Sequence, residues 1–219
     1  AFDLAEKYRT IVVVLADGNI GQMMEPAELP EMKPVRKERP EWAITGAVGR
    51  ERRILSSIYL KPEEEEITNL RLIERWKDIQ ANELRYKEYY LDDAEYVVVG
   101  FGTAGRIALS AVRAARAEGI KVGLFRPVSL SPFPHKRISE IAKNLKAMLV
   151  VEMNSGQMLE DVRLAVSGQT PVEFYGRLGG VVPLPDEVLD EIHHLVESPA
   201  EKNGDIRQRW LKRLEANLG

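Results

Sequence analysis

The chain has 219 residues, 44% of them apolar and 30% charged, with 31 Lys and Arg against 34 Asp and Glu for a net charge of -3. That composition supports a buried core and excludes a wholly disordered chain, and the balanced charge argues against broad nucleic-acid binding. With no cysteine at all, disulfides, thiolate catalysis and cysteine-held iron–sulfur clusters are excluded from this chain, as an intracellular compartment would allow.

No apolar run approaches the roughly 20 residues of a bilayer span. The stretch from Ala1 to Lys7 lacks the basic start and apolar segment of a signal peptide. A soluble, cytoplasmic protein without a membrane partner is therefore expected.

Residues 1–28 read as the end of an α/β unit. Ala1, Leu4, Ala5 and Tyr8 share a helical face, and Ile11 to Leu15 is a β-branched run of the kind found in buried parallel strands. Asp17-Gly18-Asn19 then supplies a turn. One helix and one strand bury no core between them, and position 1 is Ala, so the natural chain is expected to begin upstream. Met23 and Met24 suit an interface or core edge.

Residues 29–93 change character. Pro26, Pro30, Pro34 and Pro40 among charges predict an extended linker. Ile54, Ile58 and Leu60 allow a short strand or a helical turn. Pro62 then opens a long helix expected to run to about Tyr89, with Leu70, Ile73, Trp76, Ile79 and Leu84 as its apolar stripe. The acidic run Glu63–Glu66 suits the positive end of that helix better than a metal site.

From residue 94 strands and helices alternate. Strands are expected at 96–99, 121–125, 147–151 and 172–175, and helices at 107–117, 136–145, 157–166 and 186–196. This spacing predicts an α/β fold of three layers, αβα, with a mostly parallel sheet. After Pro199, the spacing of Ile206, Trp210, Leu214 and Leu218 predicts an added amphipathic helix.

Gly100-Phe101-Gly102-Thr103-Ala104-Gly105 matches G-x-G-x-x-G, directly after a strand and at the opening of a helix. In a dinucleotide site such glycines let the backbone approach a pyrophosphate at a helix N-terminus. The acidic residue that would hold the ribose is missing from the end of the next strand, Leu124-Phe125-Arg126-Pro127. Arg126 leaves an NADP reading open, against a tight turn in which glycine serves backbone geometry alone.

Glu152 and Asn154 follow a strand, where open α/β sheets place ligands, but Asn154 or Ser155 equally suits a helix cap. Ser155 has no nucleophile-elbow setting. His135, His193 and His194 lack metal-ligand spacing and read as surface residues. No metal site is expected.

Longer blocks carry a resemblance. Leu15-Ala16-Asp17-Gly18-Asn19-Ile20-Gly21-Gln22-Met23-Met24-Glu25-Pro26 resembles the end of the pyrimidine-binding domain in the α-type subunit of 2-oxoacid:ferredoxin oxidoreductases. The blocks Gly100–Arg106, Arg126–Pro134, Val150–Arg163 and Phe174–Gly180 point the same way, nearest to the 2-oxoisovalerate enzymes and then the 2-oxoglutarate enzymes. The resemblance implies a C-terminal portion of that subunit. Residues 1–28 would end the thiamine-binding domain, 29–93 form a linker and long helix, and 94–219 a transketolase C-terminal-like domain with a helical tail.

It also implies an enzyme that decarboxylates a 2-oxoacid on thiamine diphosphate with Mg²⁺, passes the acyl group to coenzyme A and the electrons through iron–sulfur clusters in partner subunits to ferredoxin. The cofactors belong to the complex, and no catalytic residue is expected in this chain. Gly102, Thr103, Gly105 and Arg106, with Glu152, Asn154 and Gln157, are expected to cluster at the C-terminal edge of the sheet, facing a subunit interface or a coenzyme A path. The alternatives are an NADP-binding Rossmann-type oxidoreductase and a non-catalytic interaction domain of the same fold.

Overall fold

The computed structural model describes residues 1–32, 34, 39–198 and 205–218. Residues 33 and 35–38 of the expected linker, and 199–204 where the tail was expected to start, lie outside the described residues. The chain divides into two units, one of residues 1–23 and 79–219, the other of residues 24–78.

The first unit is built on a five-stranded sheet: β1 (Tyr86–Tyr89), β2 (Tyr96–Val99), β3 (Val122–Pro127), β4 (Ala147–Glu152) and β5 (Val172–Gly176), in the order β1-β3-β2-β4-β5. β1 runs antiparallel to β3, and the other neighbours are parallel. Every residue of β2 and β4 is buried. Their sequences, Tyr-Val-Val-Val and Ala-Met-Leu-Val-Val-Glu, are the near-continuous apolar runs that a strand covered on both faces requires.

Helices complete the layers. α4 (Gly102–Ala117) packs with α7 (Pro185–Glu197), and α5 (His135–Ala142) with α6 (Met158–Val166). The first crossover leads from β2 to β3 and the next two return through β4 to β5. Right-handed connections therefore place α4 on one face and α5 and α6 on the other. Ala108, Ala111, Val112 and Ala115 bring α4 close to the sheet, and all are buried. The expected α/β, three-layer αβα arrangement with a mostly parallel sheet is present, with boundaries within a few residues.

α8 (Ile206–Leu218) covers the β5 edge. Its Trp210 Nε1 donates to the Gly176 carbonyl at 2.9 Å and its ring meets Phe174 edge-on at 4.9 Å. Arg213 donates to the Phe174 carbonyl at 3.3 Å. Arg209 and Arg213 face the buried Glu173, and Arg213 also pairs with Glu191 at 3.0 Å. The edge carbonyls of β5 thus meet side-chain donors instead of another strand.

Three elements differ from expectation. Residues 11–15 form no strand, and Ile11, Val13, Val14 and Leu15 are exposed. A parallel strand exists only beside a partner, and the sheet's outer strands pair with neither end of this run. The long helix, α3 (Pro62–Asn82), stops short of Tyr89, and no side chain on it is buried. The missing turns of helix are β1. Just past its end, the Glu83 side chain accepts from Tyr8 Oη at 2.7 Å, Lys7 Nζ at 2.9 Å and Arg85 at 3.0 Å. Tyr86 then stacks on Phe125 at 5.1 Å, and Glu88 receives two bonds from Arg137. Residues 54–60 adopt neither strand nor helix. α1 (Phe2–Tyr8) and α2 (Gly18–Gln22) complete the first unit.

Candidate functional site: the crevice at the end of β2 and β4

β2 and β4 are parallel neighbours whose outgoing connections cross in opposite directions, β2 to β3 and β4 to β5. Such a reversal leaves a crevice at the C-terminal ends of the two strands, the usual ligand position in open α/β sheets. The Gly100–Gly105 loop leaves β2 there and the Glu152–Gln157 loop leaves β4, so the topology brings both expected loops to one edge.

The glycine loop is shaped by backbone packing. A Cβ on Gly105 would lie 2.6 Å from the Gly100 carbonyl oxygen and 3.3 Å from Arg126 Cγ. Glycine at 105 is what lets the first turn of α4 touch the end of β2. Gly102 has φ +54°, a left-handed conformation that a side chain disfavours. Phe101 at the N-cap supplies no side-chain acceptor for the helix.

The position an anion would take before α4 belongs to the chain itself. Asp17 Oδ2 and Ile20 Cδ1 each lie 3.8 Å from where a Cβ on Gly102 would sit. Asp17 caps α2, accepting from the Ile20 N–H at 2.8 Å. Partial burial pushes its carboxyl up, but backbone hydrogen bonding, led by the Ile20 N–H, outweighs this and holds it below the usual carboxylate range. Thr103 is buried beneath this contact, and Arg106 is exposed on the helix surface.

On the other side, Glu152 is completely buried at the end of β4. Its Oε1 accepts from the Leu159 N–H at 2.9 Å, and its Oε2 from the Met158 N–H and Asn154 Nδ2, each at 3.0 Å. Asn154 Oδ1 in turn accepts from the Gly156 N–H at 2.7 Å and the Gln157 N–H at 3.0 Å. A buried carboxylate that receives the first N–H groups of α6 is a helix cap carrying charge to the positive end of the dipole. The helix N–H groups go to Glu152, while Asn154 closes the turn just before α6 and Ser155 does not cap it. Ser155 contributes only its carbonyl, which receives Arg207 Nε at 3.1 Å. Gln157 is exposed.

Two contributors escaped the sequence reading. Asp17, which the sequence marks as a turn former, also has helix-cap grammar three residues before Ile20. Arg207 ties α8 to the 155–156 loop, with a second bond to the Gly156 carbonyl at 2.9 Å, and nothing local in the sequence signals that contact. The histidines lie away from the crevice. His193 pairs with Glu118 at 2.5 Å, and His135 packs edge-on against Phe133 at 5.0 Å. Among the described residues no group of three or more His, Cys, Asp or Glu could hold a metal ion, and no helix is long and apolar enough to cross a membrane.

Residues 94–188, which include the sheet's parallel strands, match the pyruvate:ferredoxin oxidoreductase core domain II. The ketoisovalerate oxidoreductase subunit VorB of Methanothermobacter thermautotrophicus is 46% identical over 195 residues, covering 89% of this chain and 55% of that subunit. The chain belongs to the 2-oxoacid:ferredoxin oxidoreductase subunit family. A second member of that family, the 2-oxoglutarate synthase subunit KorA of Methanothermobacter marburgensis, is 31% identical over 220 residues, with 88% of this chain and 58% of that subunit covered. The fold is shared with the solved 2-oxoglutarate:ferredoxin oxidoreductase from Magnetococcus marinus. There the TM-score is 0.54 at 17% identity, over 64% of this chain and 24% of that chain. The chain spans about half the length of the curated oxidoreductase subunits it matches.

Proposed function

We propose that this chain works as part of a cytoplasmic, heteromeric 2-oxoacid:ferredoxin oxidoreductase, in which it supplies framework and interface and no reacting group. The observation that carries this reading is the 46% identity to a ketoisovalerate oxidoreductase subunit across 89% of the chain. The overall reaction is oxidative decarboxylation of a 2-oxoacid to an acyl-coenzyme A with reduction of ferredoxin. A branched-chain 2-oxoacid is the favoured substrate, and 2-oxoglutarate the rival. Ile11, Val13, Val14 and Leu15, all exposed, fit a strand completed by a thiamine-binding domain, with residues 24–78 as linker and arm.

Thiamine diphosphate, when bound in the complex, would act as the electron sink of the decarboxylation. The described residues of this chain do not fit it. They hold no acidic cluster for the Mg²⁺ of its diphosphate, and the head of α4, where a diphosphate would rest, already faces Asp17. Glu152 is committed to the first N–H groups of α6 and Asn154 to the turn before it. The exposed surface of this edge carries Arg106 and Gln157, and we assign it to a subunit contact or the wall of a coenzyme A path.

The test is reconstitution with the partner subunits and the full-length subunit, following 2-oxoisovalerate- and coenzyme A-dependent ferredoxin reduction. Activity with 2-oxoisovalerate well above that with 2-oxoglutarate is expected. Tight NADPH binding by this chain alone, with no partner-dependent activity, would overturn the reading. Arg106→Ala together with Gln157→Ala should weaken assembly or raise the coenzyme A requirement; no change in either removes the edge from the proposal.

A further inference from the structure

α8 is held to the parallel sheet by two rows of side chains. Ile206, Trp210 and Leu214 recur every fourth residue and are buried, and Arg209 and Arg213 form a cationic row beside them. Facing the apolar row is Phe174, whose ring meets Trp210 at 4.9 Å. Facing the cationic row are two buried carboxylates from different elements, Glu173 on β5 and Glu191 on α7. Arg213 Nε donates to Glu191 Oε1 at 3.1 Å, and its Nη2 lies 3.0 Å from Glu191 Oε2 and 3.9 Å from Glu173 Oε2. Arg209 Nε lies 3.3 Å from Glu173 Oε1. The Gly176 and Phe174 carbonyls complete the face by accepting from Trp210 and Arg213.

The match is one of charge more than of bond geometry. Among the described residues, neither Glu173 oxygen, nor Glu191 Oε2, nor Arg209 Nε or Nη2 has a hydrogen-bond partner. Buried charges that lack hydrogen bonds detract from docking, so the helix is seated short of its full grip. A face of this kind reads an aromatic anchor and a row of cations, whichever copy of the chain carries them. We propose that the β5–α7 face is a receptor for a cationic amphipathic helix, and that its occupant in trans is the α8 of a second copy, seated by reciprocal exchange. The exchanged helix makes the same contacts as the chain's own, so exchange creates no new interface chemistry. At low concentration the tethered α8 keeps the seat, since a short tether gives an effective concentration on the order of millimolar. This inference stands apart from the proposed reaction.

The test uses two variants of the full 219-residue chain. Glu191→Arg reverses the seat and Arg213→Glu reverses the helix, so each chain alone repels its own α8. In a mixture, exchange brings opposite charges together at both seats. The unaltered α8 of the first chain meets the unaltered seat of the second, and the two reversed partners meet each other. Light scattering should show monomers for each variant alone and a dimer for the equimolar mixture. Amide exchange at 206–214 should slow roughly tenfold on mixing, the order of one charge pair. A labelled peptide of residues 205–219 keeps the test decisive if Glu191→Arg does not fold. It should bind the Arg213→Ala chain saturably, about tenfold or more tighter than the same peptide carrying Arg209→Glu and Arg213→Glu. A mixture that stays monomeric, or peptide binding that is absent or indifferent to those charges, overturns the proposal.

Discussion

Gly105 and Glu152 show how much of the crevice is spent on holding the fold together. Gly105→Ala would drive a methyl group to 2.6 Å from the Gly100 carbonyl oxygen and 3.3 Å from Arg126 Cγ, and the close Gly100 backbone leaves little room to relax. A loss of about 1–3 kcal/mol in urea denaturation is expected, as for other overpacked sites. Glu152→Ala would strand the Met158 and Leu159 N–H groups and Asn154 Nδ2. Unmade bonds to buried donors cost about 1–3 kcal/mol, and the exchange of the α6 amides at 158 and 159 should rise before that of the sheet. Both glycine and glutamate were visible in the sequence at the right edge of the right strands. Their roles were not, because a G-x-G-x-x-G loop and an acid after a strand look the same whether the donors face a ligand or the chain itself.

Among the elements, α1 and α8 are attached by side chains more than by regular pairing. Tyr8 and Lys7, with Arg85, hold the Glu83 carboxyl down from its ordinary 4.5 to about 2. A depressed carboxyl stabilises fully above its unfolded value, and the gain is lost as pH falls through the folded value. Protection of the α1 amides by hydrogen exchange should therefore be flat above about pH 5 and erode between 4.5 and 2, with Glu83→Gln abolishing that dependence. At the other end, Trp210 is buried against Phe174 and donates to Gly176. Trp210→Ala should cost about 3–5 kcal/mol in the docking of α8 and expose the β5 edge, readable as faster exchange at 206–214 and concentration-dependent self-association. The amphipathic tail was legible from its four-residue spacing. That it caps a sheet edge and braces the 155–156 loop was not, since the partners lie 34 to 52 residues away.

For the whole molecule, the contrast lies between residues 94–198 and residues 24–78. The former bury a continuous core, whereas no described side chain in 24–78 is buried. A segment that buries so little apolar surface cannot offset its conformational entropy. Excised as a peptide, 24–78 should show no cooperative thermal transition by circular dichroism, while the 79–219 portion retains one. The strand expected at 11–15 failed for a related reason: its β-branched residues carry the right propensity, but propensity supplies no neighbouring strand.

The sequence by itself determined the alternation of strands and helices from residue 94, the parallel three-layer class and the family. Each of these rests on local periodicity or on long contiguous blocks, which survive without knowledge of distant contacts. Only the tertiary structure decided that Tyr86–Tyr89 is an edge strand, that Glu152 receives the first N–H groups of α6, and that Asp17 lies beside the glycine loop. Those outcomes turn on which donor meets which acceptor across many residues of chain. A hydrogen bond of that kind leaves no period in the sequence, only a residue type that fits several partners until packing selects one.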